Sequence, residues 1–239
     1  MQETAQPTKV NIVCLKHGDK YGPEYVNKLF NMISRNLTLP YNFICFTDNA
    51  AGLNPDIDIR MLPAGNYRGW WWKPYIFKKG HFDSKDTNFF IDLDMVIVKN
   101  IDHFFSFEPD KFVGLEDVGR VFGYRAPKLG SAVLKWRGDN YSRIWTTIEQ
   151  DPNICSRFAG DQEYIWSLYR DEIKFFPAEW IRSYKWEIRN QSELERRGGQ
   201  FFFKQVIDPI VPKGTCILAF HGTPNPHDVE DPVIVDNWR

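Results

Sequence analysis

Apolar side chains occur in short runs broken by polar turns, the pattern of buried strands alternating with amphipathic helices. Lys9–Leu15 (KVNIVCL) predicts a first strand, ended by the polar Lys16–His17–Gly18–Asp19. From Pro23 to Leu37, Val26, Leu29, Phe30, Ile33 and Leu37 recur at helical spacing, with a proline suited to the first helical turn. Tyr41–Thr47 (YNFICFT) predicts a second strand closed by Asp48–Asn49, and Ile57–Leu62 a weaker third. This β-α-β order predicts a mostly parallel sheet covered by helices.

Further on, Trp70–Phe77 predicts a short helix packed on that sheet. Asn88–Val98 (NFFIDLDMVIV) gives the strongest strand signal, read as one strand. Phe112–Leu115, Ser131–Trp136, Ile173–Phe176 and Cys216–Phe220 predict further strands, and Tyr141–Gln150 and Asp161–Arg170 helices. Gln191–Gly199 is polar and predicts a surface loop. No internal repeat or linker divides the chain. The expectation is a single α/β domain over residues 9–239, preceded by a disordered or extended segment over 1–8.

Composition narrows the function. The 239 residues carry 30 basic and 31 acidic side chains, a net charge of −1. That balance lacks the basic excess of a general nucleic-acid binder. No apolar run reaches the length of a membrane span, and Met1–Lys9 has no signal-like apolar core. Cys14, Cys45, Cys155 and Cys216 form no CxxC pair and are read as reduced thiols; with no membrane span, the expected location is the cytoplasm, peripheral to a membrane. Aromatic residues make up 16 % of the chain, which fits either a large aromatic core or a cleft for flat and sugar-like ligands.

The chemistry centres on Asp92–Leu93–Asp94, set between Phe89–Phe90–Ile91 and Met95–Val96–Ile97–Val98. Two carboxylates in a buried strand are costly unless compensated. In one strand, positions i and i+2 point to the same side, so both would converge near the strand's C-terminal end, where open α/β sheets bind ligands. A divalent cation is one compensation, and a pair of capping or salt-bridged aspartates the structural alternative. Asp56–Ile57–Asp58 lacks that apolar setting. His221, followed by Gly222 at the end of CILAF, is a candidate third ligand. Carboxylates with an imidazole favour Mn²⁺ or Mg²⁺ over structural zinc.

In this order the residues resemble the GT-A nucleotide-sugar glycosyltransferases, above all the family-8-like enzymes and small bacterial and viral transferases. Arg68–Lys73 (RGWWWK) precedes the DxD run 89–102 (FFIDLDMVIVKNID). Gly130–Trp136 (GSAVLKW), Gly160–Trp166 (GDQEYIW) and Phe220–His227 (FHGTPNPH) follow. The resemblance spans roughly residues 9–239. It implies a Rossmann-like, mostly parallel sheet flanked by helices, and transfer of a sugar from a nucleotide-sugar donor, UDP-sugar first, to a glycan or glycolipid. It implies that Asp94 binds Mn²⁺, that Asp92 meets the metal or donor ribose, and that His221 is the third ligand. It places Lys73 near the phosphates or donor sugar, Asp161 and Gln162 on sugar hydroxyls near the anomeric carbon, and Lys16, His17 and Tyr21 under the nucleobase. It favours retention, whereas inversion would need a carboxylate base, for which Asp117, Asp161 and Glu163 are all candidates, so the sequence leaves the stereochemistry open.

Each role has a structural counterpart: an exposed helix lysine for Lys73, helix capping for Asp161, a hydrogen-bonded imidazole for His221. Trp180–Trp186 reads as an aromatic, basic loop, either an acceptor platform or packed. The pattern departs at Asn225, where related proteins commonly carry a diphosphate-binding lysine; Gly222 and Asn225 would still contact the donor, with His227 or Arg182 as substitute cations. Phosphate-loop, GxGxxG, GxSxG and HExxH motifs are absent. The remaining alternatives are a metal-dependent phosphotransferase and a non-catalytic sugar- or nucleotide-binding protein. No pattern in the sequence specifies the sugar, the linkage or an oligomeric state.

Overall fold

In a computed structural model of the chain, residues 10–123, 128–189, 194–197, 200–203 and 210–239 are described. The segment expected ahead of the domain, residues 1–8, lies outside them. The strands are β1 (Val10–Lys16), β2 (Tyr41–Thr47), β3 (Asp58–Met61), β4 (Thr87–Ile91), β5 (Met95–Ile97), β6 (Val113–Glu116), β7 (Leu129–Arg137), β8 (Lys174–Phe175), β9 (Ile181–Ser183), β10 (Leu194–Arg197), β11 (Gln200–Phe203) and β12 (Ile217–Ala219). The main helices are α1 (Pro23–Asn36), α2 (Arg143–Gln150) and α3 (Asp161–Tyr169), and a 3₁₀ segment runs over Gly69–Phe77.

The central sheet has the order β3-β2-β1-β4-β7-β6-β8. β3, β2, β1 and β4 are parallel, β7 runs antiparallel to β4 and β6, and β8 is parallel to β6. One strand of seven is thus reversed, and the expected mostly parallel α/β sheet is present. β1 is apolar from Ile12 to Leu15 because both faces are covered, while the buried Asn11 is satisfied by Asp86 and Asn88. Val10, Ile12 and Cys14 pack with Tyr25, Val26, Leu29 and Ile33 of α1, while Val13 points to the opposite layer with Phe46, Ile76, Trp136 and Ile144. The helix predicted from Pro23 packs by the spacing that predicted it, its proline occupying the first turn.

Three expectations are corrected. Asn88–Val98 is not one strand: β4 belongs to the central sheet, whereas β5 joins a second sheet of order β5-β12-β9. Trp180–Trp186 is not a loop, since it contains β9 and the start of a single π-helical turn, Tyr184–Ile188. Within Gln191–Gly199, Leu194–Arg197 pairs antiparallel with Gln200–Phe203, so that stretch is part of a hairpin; residues 191–193 and 198–199 lie outside the described set.

Lys135 of β7 is fully buried, its ammonium donating to the Phe107 and Glu108 carbonyls. Burial pushes its pKa down to about 8, against the opposing pull of Glu108 and Asp110. Between that value and the ordinary 10.5, the unfolded chain holds a proton that the folded chain has released. Wild-type stability is therefore expected to rise with pH across this window relative to Lys135→Met. Denaturant titrations of both proteins at about pH 7.5 and about pH 10 test this. A stability difference that does not move with pH contradicts it.

Candidate active site

β1 and β4 are parallel neighbours, so the segments leaving their C-terminal ends meet. β4 delivers Asp92, whose backbone N–H still donates to Ala132 of the β7 edge at 2.8 Å. The chain then turns, burying Leu93, and Asp94 enters the second sheet, its carbonyl accepting from Phe220 N–H at 3.2 Å. The convergence expected from strand alternation comes instead from this turn between sheets. Asp92 and Asp94 line one cleft of about 360 Å³ with Ser131, Gln162, His221 and Gly222. They also line an adjoining cleft of about 280 Å³ with His17, Lys20, Tyr21 and Lys73.

Lys73 lies beneath this junction, 4 % exposed. Its ammonium donates to the Asp92 carboxylate (3.1–3.2 Å), to the Ser131 carbonyl (3.1 Å) and to Ser131 Oγ (3.0 Å), and stands 3.5 Å from Asp161 Oδ2. Burial alone would depress its pKa, but Asp161 and Asp92 together hold it above the ordinary lysine range. It is not the exposed lysine its position in a tryptophan-rich helix allows. Asp161 does not cap its helix either, since Gly160 occupies the capping position and Asp161 opens α3. Its Oδ2 is buried and makes no hydrogen bond among the described residues, leaving Lys73 as its compensation.

The two cleft aspartates resist ionisation. Burial pushes Asp92 up to about 7, with Lys73 opposing and Asp94 and Asp161 adding repulsion. Burial also raises Asp94, against the hydrogen bond from Tyr21 (2.9 Å) and the charge of Lys20. His221 follows β12, its Nε2 2.7 Å from Ser183 Oγ and its ring 4.1 Å from that of Trp186. Burial and then Lys185 push it down to about 4, so it is a neutral imidazole at pH 7. Gly222 has φ +67°, a left-handed conformation that lets the backbone turn at the cleft wall without a Cβ.

Other predicted residues are more peripheral. His17 packs against Trp72 at 5.5 Å, and Tyr21 reaches both Asp94 and Asn225 (3.5 Å). Lys16 is buried at the end of β1, directed to the Gly18 carbonyl, and is not a cleft-lining residue. Gln162 donates to Asp117 (3.5 Å) and Glu163 (3.2 Å); Asp117 lines the same cleft. Asn225 caps a short turn reciprocally with Asp228. Arg182 pairs with Glu187 and His227 with Asp228, both at 3.2 Å, so neither proposed substitute cation belongs to the cleft lining. Ser131 is not singled out by the sequence beyond its place in GSAVLKW, and Ser183 and Trp186 only as part of the candidate platform Trp180–Trp186; Ser131 and Trp186 line the cleft and Ser183 meets His221.

Among the described residues, no group of three His, Cys, Asp or Glu side chains is close enough to hold a metal as placed. The chemistry of Asp92, Asp94 and His221 nevertheless fits a hard divalent cation: two carboxylates whose charge lacks full compensation, and one neutral imidazole. The fit is one of donor type and shared cleft, not of a preformed cage.

No protein-family profile and no curated protein matches the chain by sequence. The likeness is structural. The fold is that of GT-A glycosyltransferases. It is similar to galactosyltransferase LgtC, solved with donor and acceptor sugar analogs, at TM-score 0.58 and 14 % identity over 90 % of this chain and 88 % of that one. It is similar to the bifunctional glycosyltransferase WbbM (TM-score 0.64, 11 % identity), covering 98 % of this chain and 50 % of WbbM. GlyE of Streptococcus pneumoniae TIGR4 gives TM-score 0.54 at 11 % identity over 72 % of this chain. The chain spans 46 % of GlyE, less than half of that protein. At identities this low, the structural likeness shows the fold alone. No helix among the described residues is long and apolar enough to cross a membrane.

Proposed function

We propose that the protein is a divalent-metal-dependent glycosyltransferase moving a sugar from a nucleotide-sugar, in the first instance a UDP-sugar, to a hydroxyl of a glycan or glycolipid. The observation that carries the proposal is the junction at the C-terminal edge of β4. There Asp92 and Asp94 face one cleft with His221, and Lys73 ties Asp92 to Asp161.

Asp92, Asp94 and His221 are the groups that would hold Mn²⁺ or Mg²⁺, which when bound supplies positive charge to a departing diphosphate. Lys73 is a positioning residue: it borders the adjoining cleft, but its ammonium is spent on Asp92, Ser131 and Asp161. Tyr21 holds Asp94 in place through its hydroxyl. Gln162 and Asp117, which line the same cleft, offer a donor and acceptors suited to sugar hydroxyls. The rings of His17 and Tyr21 border the adjoining cleft, where a nucleobase would be covered. Because Asn225 brings no charge, diphosphate binding would depend on the metal more than in relatives with a lysine there.

A thermal-shift panel of UDP, GDP, CMP and dTDP, each with Mn²⁺ and with EDTA, tests the reading. A nucleotide at about 100 times its Kd adds roughly 2.7 kcal/mol of stability. One nucleotide is expected to raise Tm with Mn²⁺ and not with EDTA, and its sugar conjugate to be turned over. A metal-independent shift, or binding without turnover of any conjugate, supports a non-catalytic binding protein instead.

A further inference from the structure

A larger cleft, about 940 Å³, opens beside the proposed donor site, between the segment Ala64–Trp71 and the turn Pro152–Ser156. Its wall combines Tyr67, Trp70, Asn66, Arg68, Asn153 and Ser156. Trp70 is 58 % exposed, while its neighbours Trp71 and Trp72 are buried at 6 % and 2 %. In a 3₁₀ helix successive side chains point about 120° apart, so three consecutive tryptophans cannot all face the core. Trp71 packs into the apolar layer against the sheet, Trp72 packs on His17, Tyr67 and Tyr75, and Trp70 is held out as an exposed indole.

Two observations connect this cleft to the reaction site. Gly69 and Trp70 line it and also line the cleft that contains Asp92 and Asp94. The Trp70 indole also leans on the start of α3: a Cβ on Gly160 would meet its Nε1 at 3.3 Å. Trp70 is therefore the partition between the two spaces, beside the helix that carries Asp161 and Gln162. The outer cleft offers ring faces next to amides, a hydroxyl and a guanidinium. That set suits a carbohydrate chain, whose C–H faces cover aromatic rings while its hydroxyls need donors and acceptors. An apolar peptide or acyl chain would leave Asn66, Arg68 and Asn153 without partners.

We propose that this cleft is an acceptor-glycan subsite, holding sugar units remote from the reacting hydroxyl and selecting acceptors by length. The proposal rests on the glycosyltransferase reading and extends it to the far end of the acceptor. The test is an array of immobilised neutral and acidic oligosaccharides, from disaccharides to hexasaccharides, probed with labelled wild type, Trp70→Ala and Ser156→Trp. Nucleotide thermal shifts are run in parallel. Ser156 lies in the outer cleft, on a short exposed helix, so a tryptophan there fills the cleft without disturbing the core. Wild type is expected to be retained by at least one glycan class, more strongly as the chain lengthens. Both variants are expected to lower retention about ten-fold or more, on the scale of losing one ring contact or its space. Ser156→Trp is expected to keep the nucleotide shift. Retention of no glycan, or equal retention by all three proteins, overturns the subsite. Loss of the nucleotide shift in Ser156→Trp makes the cleft a nucleotide site and also overturns it. Glycan retention that both variants weaken, in a wild type that shows no nucleotide shift at all, leaves the subsite standing and removes the transferase reading.

Discussion

Lys73→Met is expected to destabilise the protein by about 3–5 kcal/mol, the range for breaking a buried ion pair by removing one partner. For a domain of this size that corresponds to a fall in Tm of very roughly 6–20 °C. Methionine is an unbranched side chain of similar length, so the main loss is the ammonium, which also stands 4.8 Å from the centre of the Phe90 ring. Asp161 Oδ2, which has no hydrogen bond among the described residues, then loses its compensating charge, and Asp92 loses the cation nearest to it. Ser131 Oγ and its carbonyl lose a shared donor as well. The physical cause can be separated from simple loss of packing by adding Asp161→Leu. If an unpaired carboxylate carries the penalty, the double variant recovers part of it, with a coupling on the order of 1–3 kcal/mol. Thermal or denaturant unfolding of the four proteins reads this directly. A Lys73→Met protein that melts within a degree or two of wild type would show that the bridge does not hold the site together.

The same lysine shows where sequence patterning stops. The elements of the first half were legible because they are local: β1 and β2 are short, largely apolar runs covered on both faces, and α1 repeats its apolar residues at helical spacing. His221 was placed at a strand end for the same reason. The partners of Lys73 are not local. Asp92, Ser131 and Asp161 come from β4, β7 and α3, and nothing in RGWWWKPYIF distinguishes a buried bridging lysine from a solvated one. The run 88–98 failed differently. An apolar stretch reads alike whether it stays in one sheet or passes between two. Here Ile91 pairs with Val133 of β7, whereas Met95 pairs with Ala219 of β12. The long-range pairing, invisible in the run itself, breaks the strand at the two aspartates. That break, rather than alternation along one strand, brings both carboxylates to the cleft. Ser183 and Trp186 were read as part of a loop because β9 is only three residues long and gains its stability by pairing with β12.

Asp94→Asn is expected to abolish the Mn²⁺-dependent nucleotide shift and to lower sugar transfer by about 10²–10³-fold, the loss typical of removing one group that stabilises developing charge. The fold is expected to survive. The carboxamide keeps an acceptor for the Tyr21 hydroxyl, now at 2.9 Å from Asp94 Oδ2, and the backbone contact to Phe220 is unchanged. The substitution also removes a charge from a crowded acidic site, so the metal-free protein should melt no lower than wild type. Asp92→Asn is a poorer probe, because it weakens the bridge to Lys73 and mixes stability with function. Comparing the two variants separates ligand binding from architecture. Asp94→Asn should fail in nucleotide binding at normal Tm, and Asp92→Asn should fail in both. Full turnover by Asp94→Asn, with an EDTA-sensitive shift like that of wild type, would put the metal elsewhere and leave Asp94 a structural partner of Tyr21. A variant that still binds immobilised glycans but neither nucleotide nor metal would match a transferase disabled at its donor site. Unchanged binding of both ligands would match a sugar-binding protein for which the second carboxylate is incidental.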